Sequence, residues 1–173
     1  MKKLLFIVLM MVPFSLHVQG QNAQPREADT PQLEFALQLK VTLGNTYSVG
    51  ETQHGRRTVI PITGGTFEGP QAKGTILNGG ADYQLANAQG RTELEAIYSI
   101  KTDDGVYIHV RNRGIIASGT DSEGHPTMYF RAAPQFEAPV DSKYAWMNNA
   151  LFVCAPQWDK DFKGIVLNVW KVK

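Results

Sequence analysis

The whole chain contains a single cysteine, Cys154. No intrachain disulfide can form, so a core has to hold the fold unaided. The thiol sits in Ala150-Leu151-Phe152-Val153-Cys154. That apolar, strand-like run reads as a site for a buried, inert thiol rather than a nucleophile. Neither sign of charge dominates: 17 Lys and Arg face 16 Asp and Glu. Such a balance carries no footprint for nucleic acid or for an anionic membrane surface. Nucleophile-elbow and phosphate-loop patterns are missing too. The stretch Gly64-Gly65-Thr66-Phe67-Glu68-Gly69-Pro70 has no Gly-Lys-Ser/Thr ending and no helix after it. Its glycines suit bulges, barrel corners or close backbone approach. His54, His109 and His125 are far apart and lack metal-ligand spacing, so no metal and no cofactor is expected.

Long apolar runs are scarce, and the one at the start has a specific form. Met1-Lys2-Lys3 precedes Leu4–Val12, and Pro13 breaks the run. Two positive charges and a short apolar stretch describe a secretory signal, too short to anchor in a bilayer. Val18-Gln19-Gly20 sets cleavage before Gln21, with a site near Ala23 as the alternative. An uncleaved anchor or a buried first strand is the competing reading. The junction has no cysteine to carry a lipid. The expectation is a signal peptide over residues 1–20 and a periplasmic or secreted protein with no membrane association after cleavage. Removing Lys2 and Lys3 from the 17 basic residues leaves 15 against 16 acidic ones. Residues 21–32 are polar, contain Pro25 and Pro31 and show no period, as a flexible leader would.

What is present from residue 33 onward is two-residue alternation. Leu33, Phe35, Leu37, Leu39, Val41 and Leu43 alternate with Glu34, Ala36, Gln38, Lys40 and Thr42. This is the pattern of a half-buried strand. Shorter pieces repeat it at Arg57–Thr63, Lys73–Leu77, Ala81–Ala86, Thr92–Lys101, Val106–Arg113, Thr127–Arg131, Ala150–Cys154 and Gly164–Val172, with turn residues between them. Only Ser142–Met147 could form a turn or two of helix. Residues 33–173 are therefore expected to form one all-β domain, a single antiparallel β-barrel of short strands with at most one short helix.

The hairpin around Asp103-Asp104-Gly105 can be read to single-residue register. A three-residue loop with Gly105 left-handed pairs Tyr98 with Val110, Ile100 with Ile108, Glu95 with Arg113 and Ala96 with Asn112. One face becomes apolar and the other charge-paired, whereas a two-residue loop would mix them. Asn112 is then an amide on the core face. It hydrogen-bonds there to Tyr98 or to a backbone kink, or else lines a pocket. Asp82, just past the Gly79-Gly80 turn, either accepts turn amides or points into a barrel mouth as a base with a raised pKa. Arg131 after Tyr129-Phe130, and Trp146 beside Asn148, add the aromatics, amides and cation from which small-molecule pockets are built.

These segments together resemble a known family. Gly64-Gly65-x-Phe67-x-Gly69-Pro70, Gly79-Gly80-Ala81-Asp82-Tyr83-Gln84, Asp103-Asp104-Gly105, Asn112-x-Gly114, Tyr129-Phe130-Arg131-x-x-Pro134-x-Phe136 and Tyr144-x-Trp146-Met147-Asn148 occur in the order and spacing of the DUF3237 (UPF0311) family. The resemblance covers about residues 33–173. It implies a compact antiparallel β-barrel and no defined activity, because the family is uncharacterised. Its members are often leaderless, so the export signal is a departure. Carried over by position, the polar set is Asp82, Tyr98, Asn112, Arg131, Trp146 and Asn148. Two functions fit. One is a binding module whose mouth holds a small aromatic or carbonyl-bearing ligand, with Arg131 facing an anionic or carbonyl oxygen, Trp146 and Tyr98 stacking, Asn112 fixing its orientation and Asn148 among the ligand-binding residues. The other is a cofactor-independent isomerase, lyase or cyclase with Asp82 as base and Arg131 or Tyr98 as electrophilic partner. A homodimer is compatible with either, and so is a blander structural domain with a filled barrel.

Overall fold

Alternation folds as strand throughout the domain. The computed structural model describes residues 30–159, 161, 162 and 164–173. The expected signal peptide, and residues 21–29 of the leader, lie outside the described residues. Ten strands follow one another: β1 (Leu33–Leu43), β2 (Tyr47–Thr52), β3 (Gly55–Glu68), β4 (Lys73–Ile76), β5 (Gly80–Ala86), β6 (Arg91–Thr102), β7 (Tyr107–Thr120), β8 (Pro126–Glu137), β9 (Phe152–Trp158) and β10 (Gly164–Val172). One short 3-10 helix, Ala145–Asn149, precedes β9, close to the place the sequence allows.

The sheet closes on itself. The order around the ring is β1, β10, β9, β8, β7, β6, then β4 and β5 end to end in one position, then β3, which pairs back to β1. This is a closed eight-stranded antiparallel barrel, with β2 hairpinned onto β3 outside the ring. The described ladders differ greatly in extent. Twelve residue pairs join β7 to β8, whereas β8 and β9 share a single pair, Ala132 with Cys154.

The hairpin register is the one the face pattern selects: Tyr98 opposite Val110, Ile100 opposite Ile108, Glu95 opposite Arg113 and Ala96 opposite Asn112. Thr102 and Val106 close the loop in both directions, and Gly105 has φ of 89°. On the outer face Arg111 and Arg113 both donate to Glu95 Oε1, at 2.6 and 2.9 Å.

β1 departs from the sequence pattern. A register shift between Phe35 and Leu37 against β10 marks a bulge. One extra residue reverses the face. Leu37, Leu39 and Val41 are buried inside, while Leu33 and Phe35 point outward, Phe35 meeting Trp170 edge-on. Several strands also run further than their sequence signals. β3 continues through Gly64-Gly65 to Glu68, and β8 continues past Pro134. Proline is tolerated in a strand whose far edge is largely unpaired, which is the position of β8.

Core packing distinguishes the two barrel ends. At one end Phe67, Ile76, Ile100, Ile108, Phe136, Met147, Phe152 and Val169 fill the interior. The 3-10 helix lies across this end. Met147 is buried beneath it, Trp146 packs on Phe152, and the Asn148 side chain both donates to and accepts from the Ala138 backbone. Tyr144 Oη donates to Asp104 Oδ1 at 2.7 Å, tying the segment before the helix to the β6–β7 loop.

Candidate functional site

The opposite end is not filled. Strand rows crossing the interior show why. One inward row runs Ile62, Gly80, Tyr98, Val110, Phe136 from β3 to β8. Gly80 is in this row because a Cβ there would collide with the Cβ and backbone of Tyr98. The next row toward the mouth runs Ile60, Asp82, Ala96, Asn112, Pro134. Beyond it come Gln84, Leu94, Gly114 and Ala132. Small residues at Ala96 and Ala132 leave room that large ones would occupy.

The result is a cavity of about 60 Å³ at the mouth. Its lining is predominantly aliphatic and aromatic, including Ile60, Leu94, Phe130, Trp158 and Ile165. The polar side chains that join them are Asp82, Gln84, Tyr98 and Asn112. None of the lining residues is Lys, Arg or His.

Asp82 is held firmly. Its Oδ1 accepts the Glu95 backbone N–H at 3.1 Å and its Oδ2 accepts Gln84 Nε2 at 2.8 Å. The first bond occurs where the β5–β6 ladder lapses, between the Asp82–Ala96 and Leu85–Glu93 pairs. Burial raises the Asp82 carboxyl from its ordinary value, and these two hydrogen bonds only partly offset it. Burial also pushes the Tyr98 phenol well up, so it stays protonated at neutral pH. Asn112 is almost wholly buried, with 7% of its surface exposed, and its Oδ1 has no hydrogen-bond partner among the described residues.

Of the six residues singled out from sequence, Asp82, Tyr98 and Asn112 meet in this cavity. The other three lie elsewhere. Arg131 follows inward-facing Phe130 on β8, so alternation turns it outward. It lies over Tyr129, donates to the Phe130 carbonyl at 2.7 Å and lines an exterior groove with Arg57, Arg91 and Arg113. It is separated from Asp82 by the barrel wall and cannot pair with it. That groove, about 840 Å³, is broad and open. Its arginines are engaged locally, Arg57 with the Tyr83 carbonyl, Arg91 with Glu93 and Arg113 with Glu95. Trp146 and Asn148 belong to the helix at the filled end. Among the described residues, no group of three or more His, Cys, Asp and Glu side chains is placed to hold a metal ion.

Sequence reading passed over Gln84, Phe130 and Trp158. Gln84 is two residues beyond Asp82 on one strand, so period two already placed it on the same face. Trp158 continues the inward series Phe152, Cys154, Pro156. Pro156 hides that series by interrupting the apolar run.

The chain matches the family described as "Protein of unknown function (DUF3237)" over residues 31–172. It belongs to that family. DUF3237 relatives include a UPF0311 protein of Rhodopseudomonas palustris, 36% identical over 135 residues, covering 72% of this chain and 88% of that protein. A crystal structure of a β-barrel-like protein from Acinetobacter baumannii superimposes with a TM-score of 0.74 at 30% identity, covering 88% of this chain and 100% of the other. A further relative carries an activity in its name, the hydroalkoxylation enzyme phnH of Penicillium herquei. It is 29% identical over 136 residues, covering 79% of this chain and 78% of that protein.

Proposed function

We propose that the barrel mouth binds a small, largely apolar molecule and catalyses a cofactor-independent proton transfer on it, with Asp82 as the acid–base group. One observation carries this reading. Asp82 is an interior carboxyl with no cationic side chain in its cavity, and burial raises its pKa. A carboxyl paired with Arg131 would be locked as the anion and would be a weak acid–base group at neutral pH. Separated from every cation, it holds its proton to higher pH and can both give and take one. Tyr98 and Asn112 would bind and orient the substrate.

The relative named a hydroalkoxylation enzyme suggests a reaction that fits these groups, addition of an O–H across a carbon–carbon double bond, or the reverse elimination. Protonated Asp82 delivers its proton to one alkene carbon, and the π electrons form the new C–H bond. The substrate oxygen closes on the other carbon and gives up its proton, which returns to the Asp82 carboxylate. No oxidant or reductant is consumed. The test is solvent-deuterium incorporation into hydroxy-alkene substrates in D₂O, followed by mass spectrometry. Wild type is expected to install one deuterium on carbon and Asp82→Asn none. Equal incorporation by both would remove Asp82 from the chemistry.

A pure binding module is the second reading. It is favoured by the two hydrogen bonds that give Asp82 a structural task, accepting a strand amide and a side-chain amide. Export is part of the proposal in either case. Lys2, Lys3 and the apolar run after them support a role outside the cytoplasm. An intact mass beginning at or near Gln21 in the exported protein is the expected outcome, and full-length chain retained in the cytoplasm would contradict it.

A further inference from the structure

We infer that Asn112 is the specificity residue of the cavity, and that it selects a compact neutral ligand whose hydroxyl or N–H donates to its side-chain oxygen. This rests on the reading of the mouth as a ligand site and adds the class of ligand.

The orphaned oxygen comes first. A buried amide oxygen without a donor is uncommon in native proteins and calls for a partner. Its immediate neighbours do not supply one. On the neighbouring strands Asn112 faces Ala96 and Pro134, and the inward residues next along its own strand are Val110 and Gly114. None of these side chains has a donor. Tyr98, one row deeper on β6, carries an O–H but makes no hydrogen bond to this oxygen, so we assign the donor to a ligand in the cavity that both residues line.

Geometry places that donor near the reacting carboxyl. Asp82 and Asn112 flank Ala96 in one inward row, each paired with it from its own side. Two strand spacings put their Cα atoms roughly 9–10 Å apart. The methyl of Ala96 between them leaves a slot into which a substrate group can descend. A hydroxyl held by Asn112 would therefore lie at the depth of Asp82 rather than at the rim.

Charge sets the rest of the selection. With no Lys, Arg or His in the lining, a carboxylate or phosphate would enter without a counter-ion and would face Asp82. The anionic ligand that an inward Arg131 would have favoured is excluded. Size adds a limit. At roughly 10–15 Å³ per water on this scale, a cavity of about 60 Å³ takes a single ring or a branched aliphatic group. The remainder of a larger ligand would lie against Trp158 at the mouth.

Phenol, toluene and benzoate separate these features, since all are single rings of similar size. Their binding to the mature wild-type protein can be measured by calorimetry and by the shift of the Asn112 side-chain amide resonance. Phenol is expected to bind at least about ten-fold more tightly than toluene, to shift the Asn112 resonance, and to leave benzoate far behind. Asn112→Leu should abolish the preference for phenol and improve toluene binding. Asn112→Ala provides the same comparison should the leucine variant fail to fold. Equal binding of phenol and toluene by wild type, a preference that survives loss of Asn112, strongest binding by benzoate, or no binding of any probe would each overturn the inference. Asp82→Asn should retain the phenol preference. Loss of turnover in that variant therefore tests the catalytic reading separately.

Discussion

At the residue scale, Asp82 joins two roles whose demands on stability are opposed. Its folded-state pKa lies above the ordinary value of 3.8, so the native protein holds this proton to higher pH than the unfolded chain does. Stability from this group is greatest below the unfolded pKa and declines as pH rises through the folded one. Asp82→Asn keeps an oxygen for the Glu95 amide and removes the buried charge. Relative to wild type, the variant should become more stable between pH 4 and neutrality and show little gain near pH 3, as read by denaturant melts across pH. A variant inactive yet stabilised would separate the acid–base role from the structural one. Cys154 is the contrasting case. It is 1% exposed, and burial pushes its thiol up to about 12. Thiol reagents should leave the native protein unmodified and label it at the rate of unfolding. Rapid labelling would show that the wall beside it opens.

At the element scale, the β6–β7 hairpin shows what sequence alone can determine. A Cβ at Gly105 would have nothing within 4 Å, so the constraint there is the positive φ alone. Gly105→Val should cost roughly 1–2 kcal/mol through left-handed strain, measurable as a lowered denaturation midpoint with an unchanged slope. This register was legible because only one loop length sets Ala96, Tyr98 and Ile100 opposite Asn112, Val110 and Ile108 and keeps the two faces unmixed. Asp82, Tyr98 and Asn112 were legible for the same reason, as polar residues at inward positions. β1 was not legible in full, because a bulge leaves no mark on an alternating run. Nothing in Leu33-Glu34-Phe35-Ala36-Leu37 announces that the extra residue turns Phe35 outward. Arg131 was misplaced for a related reason. Its position within a cluster of aromatics suggested a pocket, but only the parity of β8, fixed through Pro134 and Phe136, decides which side of the wall it faces. Arg131→Ala should accordingly leave ligand affinity and fold intact.

At the scale of the whole molecule, filled and open ends divide stability from function. Met147→Ala at the filled end should cost about 2–5 kcal/mol and leave the mouth unchanged, a split visible by comparing thermal melts with ligand titrations. The closed topology itself was readable from strand spacing, but the order of strands around the ring was not. Pairing of β1 with β10 joins residues from opposite ends of the domain, and no local pattern encodes it. The sparse join between β8 and β9 has a consequence in time. β6, β7 and β8 are linked by tight turns and long ladders, so they can form early from local contacts. Ring closure across the lone Ala132–Cys154 pair comes late in assembly and is the first to come undone. Pulsed hydrogen exchange should show β7 amides protected within the earliest refolding phase and β9 amides in the last. In the native protein, the same join would act as the lateral hinge through which the barrel breathes.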